Sequence, residues 1–164
     1  MLDKLIKYFV YETKGYITKT QLIKFLYLAD LYSVKWTGKQ LTELDWYYYK
    51  YGPWHEDIDA ALNKMNGKEI IQESHSNTTL IKLGAEAVSS DDLELPVSLK
   101  LVLDNITREW AGSDKLSQLL DYVYSTAPML EVKGIHKPDE KVRLNLQTER
   151  EKLISELGLE SGWI

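Results

Sequence analysis

The side chains that could do chemistry in this chain form a few small groups. His55-Glu56-Asp57, with Asp59 two residues on, supplies an imidazole and three carboxylates of the kind that hold a divalent metal. The same acids suit the first turn of a helix, where the helix dipole favours negative charge. That account needs no ion, and no metal site is expected. Ser74-His75-Ser76 places hydroxyls beside a base. Nucleophile and base are normally assembled in space rather than by adjacency, so a polar turn is the simpler reading. The third histidine, His136, stands in a different context again. Asp30 lies in the most apolar stretch of the chain, where an unpaired carboxylate is costly. It could lie on a polar strip, cap or pair with a buried Tyr or Lys, or act in catalysis. Neither GxxxxGK[ST], GxGxxG nor HExxH occurs, so the common phosphate cradles and the helical zinc motif are missing. No catalytic residue and no cofactor is expected, and the chain reads as a non-enzyme.

The strongest positive signal is aromatic. Trp46 to Trp54 holds six aromatic residues in nine positions. Trp46-Tyr47-Tyr48-Tyr49-Lys50-Tyr51 is β-type, and alternation would put Trp46, Tyr48 and Lys50 on one face and Tyr47, Tyr49 and Tyr51 on the other. Tyr and Trp anchor interfaces because they bury a large area at low entropic cost. A core strand is the competing reading. Base stacking is a third, weakened by Lys50 being the only cation among the rings. Trp46, Tyr48, Lys50, Tyr51, Gly52, Pro53 and Trp54 are the candidate partner-binding residues.

The elements that must position these groups follow from periodicity. Leu2 to Glu12 has Leu2, Leu5, Ile6, Phe9 and Val10 at helical spacing. Thr18, three residues before Gln21, forms a capping box for a second helix from Lys19 to about Trp36. That helix is apolar almost all round, hence central; Gln21, Lys24, Asp30 and Lys35 leave a thin polar strip, and Gly38 ends it. A strand is expected over Leu44 to Tyr51. Gly52-Pro53 should break it, with Pro53 opening a helix over His55 to Met65. Glu69 to Glu73 and Thr78 to Leu83 form a hairpin around Ser74–Asn77. Helices are expected from Pro96 to about Trp110, from Ser113 as N-cap, and again in the same way from Thr126-Ala127-Pro128. Gly134 to Pro138 is a loop, and a final helix runs from about Glu140 to Leu157. The sum is an α+β, mainly α-helical fold, with a short aromatic strand and a β-hairpin giving a winged-helix-like core. One domain over residues 1–164 is expected, with 139–164 a C-terminal helical extension.

Composition bounds the function. The chain has 164 residues, 44% hydrophobic and 27% charged, which is globular. The absence of Cys excludes disulfides, thiol nucleophiles and thiolate metal sites. No signal-like or membrane-spanning apolar run is evident, so a cytoplasmic protein is expected. Residues 1–54 hold 14 of the 18 aromatics and carry 8 Lys against 5 acids; the remainder, with Trp110, Tyr122, Tyr124 and Trp163, carries 12 Lys/Arg against 20 acids. A pI near 5.3, with Glu56, Asp57 and Asp59 at the start of the would-be recognition helix, argues against DNA binding.

The stretch Thr20-Gln21-Leu22-Ile23-Lys24-Phe25-Leu26-Tyr27-Leu28-Ala29-Asp30 resembles the K-L-L-Y-x-A-D/Y helix of the Panacea domain, the SocA-like phage-associated antitoxin family. Leu26, Tyr27, Ala29 and Asp30 are its motif positions here. Thr37-Gly38-Lys39-Gln40-Leu41 resembles the family's G-x-x-L turn, and Tyr49-Lys50-Tyr51-Gly52-Pro53 its W-K-Y-G-P signature. Leu116 to Pro128 is similar to a later motif, but Tyr124 and Met129 stand where His and Trp are common. The resemblance spans roughly residues 5–130. It implies an antitoxin that neutralises a cognate toxin protein by direct contact, or an adaptor that delivers the toxin to a protease. Neither role needs an active site. A winged-helix autoregulator is the alternative. The acidic later two-thirds would complement a basic toxin.

Overall fold

Thr18 starts the helix around which the rest is arranged. In the computed structural model, which describes residues 1–135, 137 and 139–158, its hydroxyl accepts from Gln21 N at 3.1 Å, while Gln21 Oε1 accepts from Thr18 N at 3.1 Å. Both arms of the capping box are present. His136, Pro138 and Trp163 lie outside the described residues.

The helix so started, α2 (Lys19–Thr37), buries Leu22, Phe25, Leu26, Leu28, Ala29 and Leu31 completely. It ends at Gly38, in the left-handed conformation with its N–H on Val34 O. Around it pack α1 (Leu2–Glu12), α4 (Val97–Trp110), α5 (Leu116–Tyr124) and α7 (Gln147–Glu156). The polar strip expected on this helix is covered at Gln21, Lys24 and Asp30, which are buried, and stays half-open at Lys35.

The winged-helix expectation holds in topology but with a different strand. The two-residue β1 (Ile17–Thr18), directly before α2, pairs with β5 (Thr78–Leu83), which pairs with β4 (Ile70–His75), giving sheet order β1-β5-β4. Apart from the aromatic segment inserted between α2 and α3 (Glu56–Met65), the order α1, β1, α2, α3, β4, β5 is that of a winged helix. The aromatic strand takes no part in that sheet. The β4–β5 hairpin turns at Ser76-Asn77, tighter than expected, with Ser76 at φ 54.

Gly52-Pro53 does not break the aromatic strand; it turns it back. β2 (Tyr47–Tyr49) and β3 (Gly52–Trp54) form a hairpin with Tyr48 opposite Pro53, joined by Lys50-Tyr51. Lys50 (φ 51) and Gly52 (φ 127) absorb the reversal. Pro53 is tolerated because β3 is the outer strand, where a missing N–H costs no ladder bond. Helix α3 therefore begins at Glu56, capped by His55 Nδ1 accepting from Asp57 N at 3.0 Å.

The C-terminal segment is not helical throughout. β6 (Val142–Arg143) pairs with β2 to complete a second sheet, β3-β2-β6, and α7 starts only at Gln147. Val142, Leu144 and Leu146 alternate, a strand pattern, and Leu144 N donates to Trp46 O at 2.8 Å. Helix α7 then ties down the end of α2: Gln147 Nε2 donates to Gly38 O and Arg150 to Lys35 O. Its buried Glu149 accepts from Ala127 N, at the start of α6 (Ala127–Val132). Ser113 is not an N-cap; it lies in a short 3-10 turn ahead of α5. No helix among the described residues is long and apolar enough to cross a membrane.

Candidate partner-binding site

Lys24, Tyr27 and Asp30 lie three residues apart along α2, so they form one stripe. That stripe faces the β2–β3 hairpin and the loop leading to it.

Asp30 is 0% exposed. Its Oδ1 accepts from Leu41 N (3.0 Å) and Thr42 N (2.9 Å), and its Oδ2 from the Thr42 hydroxyl and from Trp46 Nε1 (2.9 Å). Burial pushes its carboxyl above the ordinary range, and the four donors oppose that shift. Among the roles open for it, Asp30 fills the capping one, with an indole rather than a Tyr or Lys among its partners. It pins the incoming loop to α2. Tyr27, fully buried, donates to or accepts from Thr126 Oγ1 at 2.8 Å and meets the Trp46 ring edge-on at 5.6 Å. Leu26 and Ala29 are core. The motif helix thus supports the hairpin from within and presents none of these four residues to a partner.

Trp46 must leave the list of surface anchors. It is 1% exposed, held by Asp30 and Tyr27, and is the largest fully buried side chain among the described residues. Gly52 and Pro53 are buried as well. Tyr48 is half-buried against the Tyr124 ring, 6.0 Å away; Tyr124, where the family commonly has His, is the hairpin's inner support, and burial pushes its hydroxyl up to about 12. Met129, in the place of a common Trp, is core.

What remains outward is a tip and a cleft. Tyr51 is 80% exposed, and Lys50 is exposed beside it. Tyr49 and Trp54 meet edge-on at 5.3 Å. Lys141, which follows the loop before β6, lies 5.0 Å from the centre of the Trp54 ring and 5.6 Å from that of Tyr49. Lys50 lies 5.3 Å from the Tyr49 ring. Between them is a cleft of about 380 Å³, with Thr20 and Ile23 on the α2 side. Lys24, 5% exposed, lines it from below. Its Nζ donates to Pro53 O at 3.2 Å, and burial pushes its ammonium down to about 8. A Cβ on Gly52 would lie 3.2 Å from that Nζ and 3.5 Å from the Tyr124 hydroxyl, so glycine serves here by both φ and size.

Sequence reasoning missed Lys24, Tyr124 and Lys141 as site residues. Lys24 had a signal, being a polar residue on a helix otherwise apolar all round. Lys141 had none, because it arrives from about ninety residues further along the chain.

The groups considered for catalysis do not converge. His55 is a helix cap, Asp30 is enclosed by its four donors, and His75 pairs with Glu73 on the exposed hairpin. Among the described residues no group of three or more His, Cys, Asp or Glu could hold a metal.

Residues 22–136 match the family model for the antitoxin SocA-like, Panacea domain. The chain belongs to the SocA-like antitoxin family. The Panacea match begins inside α2 and takes in the aromatic hairpin, α3, the wing and α4 to α6. It leaves α1, β1, β6 and α7 outside, so Lys141 joins the cleft from beyond the Panacea match. Neither a curated protein nor a solved structure matches the chain.

Proposed function

We propose that the chain neutralises its cognate toxin by direct protein–protein contact through the outer surface of the β2–β3 hairpin. The observation that carries this reading is the exposed aromatic tip on a rigid base. Tyr51 projects while Trp46, Tyr48, Gly52 and Pro53 are locked beneath it by α2 and α5. A tip whose supporting strands are already held loses less backbone entropy on binding than a free loop. Occlusion of this kind uses no catalytic step, in keeping with a non-enzyme acting in the cytoplasm. Delivery of the bound toxin to a protease would use the same contact.

Co-expression with a toxic open reading frame sought beside the gene tests this. The parent should restore growth, and Tyr51→Ala with Trp54→Ala should weaken rescue and toxin binding by about 2 kcal/mol per lost anchor while the domain stays folded. Undiminished rescue by a folded double variant would remove the hairpin from the interface.

The winged-helix order favours a second reading, an autoregulator that binds its own upstream DNA. Helix α3 in the recognition position opens with Glu56 and Asp57 exposed, which repels phosphate. A low-salt gel shift with that upstream DNA decides it; a specific shift would establish the second role.

A further inference from the structure

The cleft beneath the aromatic tip has a charge opposite to that of the chain. The protein carries a formal −5, yet the cleft is lined by Lys24, Lys50 and Lys141 and, among the described residues, by no acid. Among the described residues, the acid that pairs with one of these lysines is Glu56, 3.9 Å from Lys141 at the rim. Lys24 is the unusual member. Among the described residues its Nζ makes a single hydrogen bond, to Pro53 O, and no ion pair. An ammonium has three donors, so two remain for a group arriving through the cleft. Burying a cation with so few partners is expensive, and an incoming anion would relieve that cost. The walls beside it, Tyr49 and Trp54, are apolar faces.

We propose that this cleft receives an acidic segment of the partner protein, with one carboxylate on Lys24 and an adjoining apolar side chain against Tyr49 and Trp54. The partner rests on the antitoxin reading above; the ligand chemistry stands on the cleft alone. A carboxylate suits it better than a phosphate. The lining has no Arg, whose planar fork grips a dianion through two parallel hydrogen bonds. The expected charge match is thereby reversed locally: the acidic later part of the chain would meet basic surface on a toxin, but the aromatic tip calls for an acid.

The test uses the full chain labelled with [ε-13C]lysine and three probes: 3-phenylpropionate, its neutral amide, and AMP. 3-Phenylpropionate should shift the Lys24 signal saturably, and the amide should bind at least about tenfold more weakly, the cost of losing a charge-assisted hydrogen bond. Lys24→Met should abolish the difference between the two. Equal binding of acid and amide, no saturable shift, or tighter binding of AMP would each overturn the assignment, the last by making this a nucleotide site. These comparisons on the parent protein hold even if Lys24→Met does not fold. Toxin binding separates the two readings. If the toxin binds the parent and no probe moves Lys24, the acidic-segment assignment fails and the antitoxin reading stands. If 3-phenylpropionate behaves as expected and the toxin does not bind, the antitoxin reading fails and the acid site stands.

Discussion

Replacing Asp30 with Ala should loosen the aromatic hairpin from the inside. Four donors lose their acceptor at once. Leu41 N is half-buried and can recruit water, and the Thr42 hydroxyl can rotate. Thr42 N and Trp46 Nε1 belong to buried residues and have no such escape. A donor left buried without a partner costs about 1–3 kcal/mol, so these two together cost about 2–6 kcal/mol. Against this, the variant no longer buries a carboxylate, a cost visible in the upward shift of Asp30. The net loss is about 3 kcal/mol, or a fall in Tm of about 6–12 °C for a domain of this size. Urea unfolding followed by circular dichroism measures it. Asp30→Asn keeps one acceptor for the Leu41 and Thr42 N–H groups but sets its own NH2 against the indole N–H, so it should lose less than Asp30→Ala. A loss below about 0.5 kcal/mol for Asp30→Ala, the range of ordinary surface changes, would show that the carboxylate does not hold this loop.

Three further outcomes follow from the same corner. Trp46→Ala should destabilise by about 3–5 kcal/mol through the cavity it opens, so its loss of toxin rescue should track unfolding in a solubility or melting assay. Gly52→Ala should cost about 2 kcal/mol, from a strained φ of 127 and a Cβ pressed on Lys24 Nζ, read as a lower urea midpoint. Lys24 should make stability depend on pH. Its ammonium is lowered from 10.5 to about 8, so between those values the unfolded chain binds more protons and stability rises with pH, by about 3 kcal/mol in total. The buried Tyr27 and the half-buried Tyr32 have raised hydroxyls and act oppositely above about pH 10, so the quantity to measure is the difference between the parent and Lys24→Met from pH 7 to 9.5. A difference that stays flat over that range would contradict the burial of a charged Lys24.

Local signals in the chain determined much of this protein. The capping box at Thr18 and Gln21, the stop at Gly38, the apolar stripe of α3 and the β4–β5 hairpin all depend on residues within a few positions of one another, and each formed as its pattern required. The motif helix and the Tyr-Gly-Pro turn likewise pointed to the family before any fold was known. The errors share a physical cause. β1 has only two residues and exists because β5 lies alongside it. Pro53 reads as a helix opener until the outer position of β3 makes its missing N–H harmless. Val142 pairs with Tyr48 across more than ninety residues, and no nearby residue announces that partner. The site was decided in the same way. A strand pattern can assign alternate faces, but only packing against α2 determined that Trp46 is core and Tyr51 is free, because burial depends on what covers a face. The cleft needed Lys24 from α2, the β2–β3 hairpin and Lys141 from the far end of the chain to meet, and it is that meeting that leaves an ammonium underground with donors to spare.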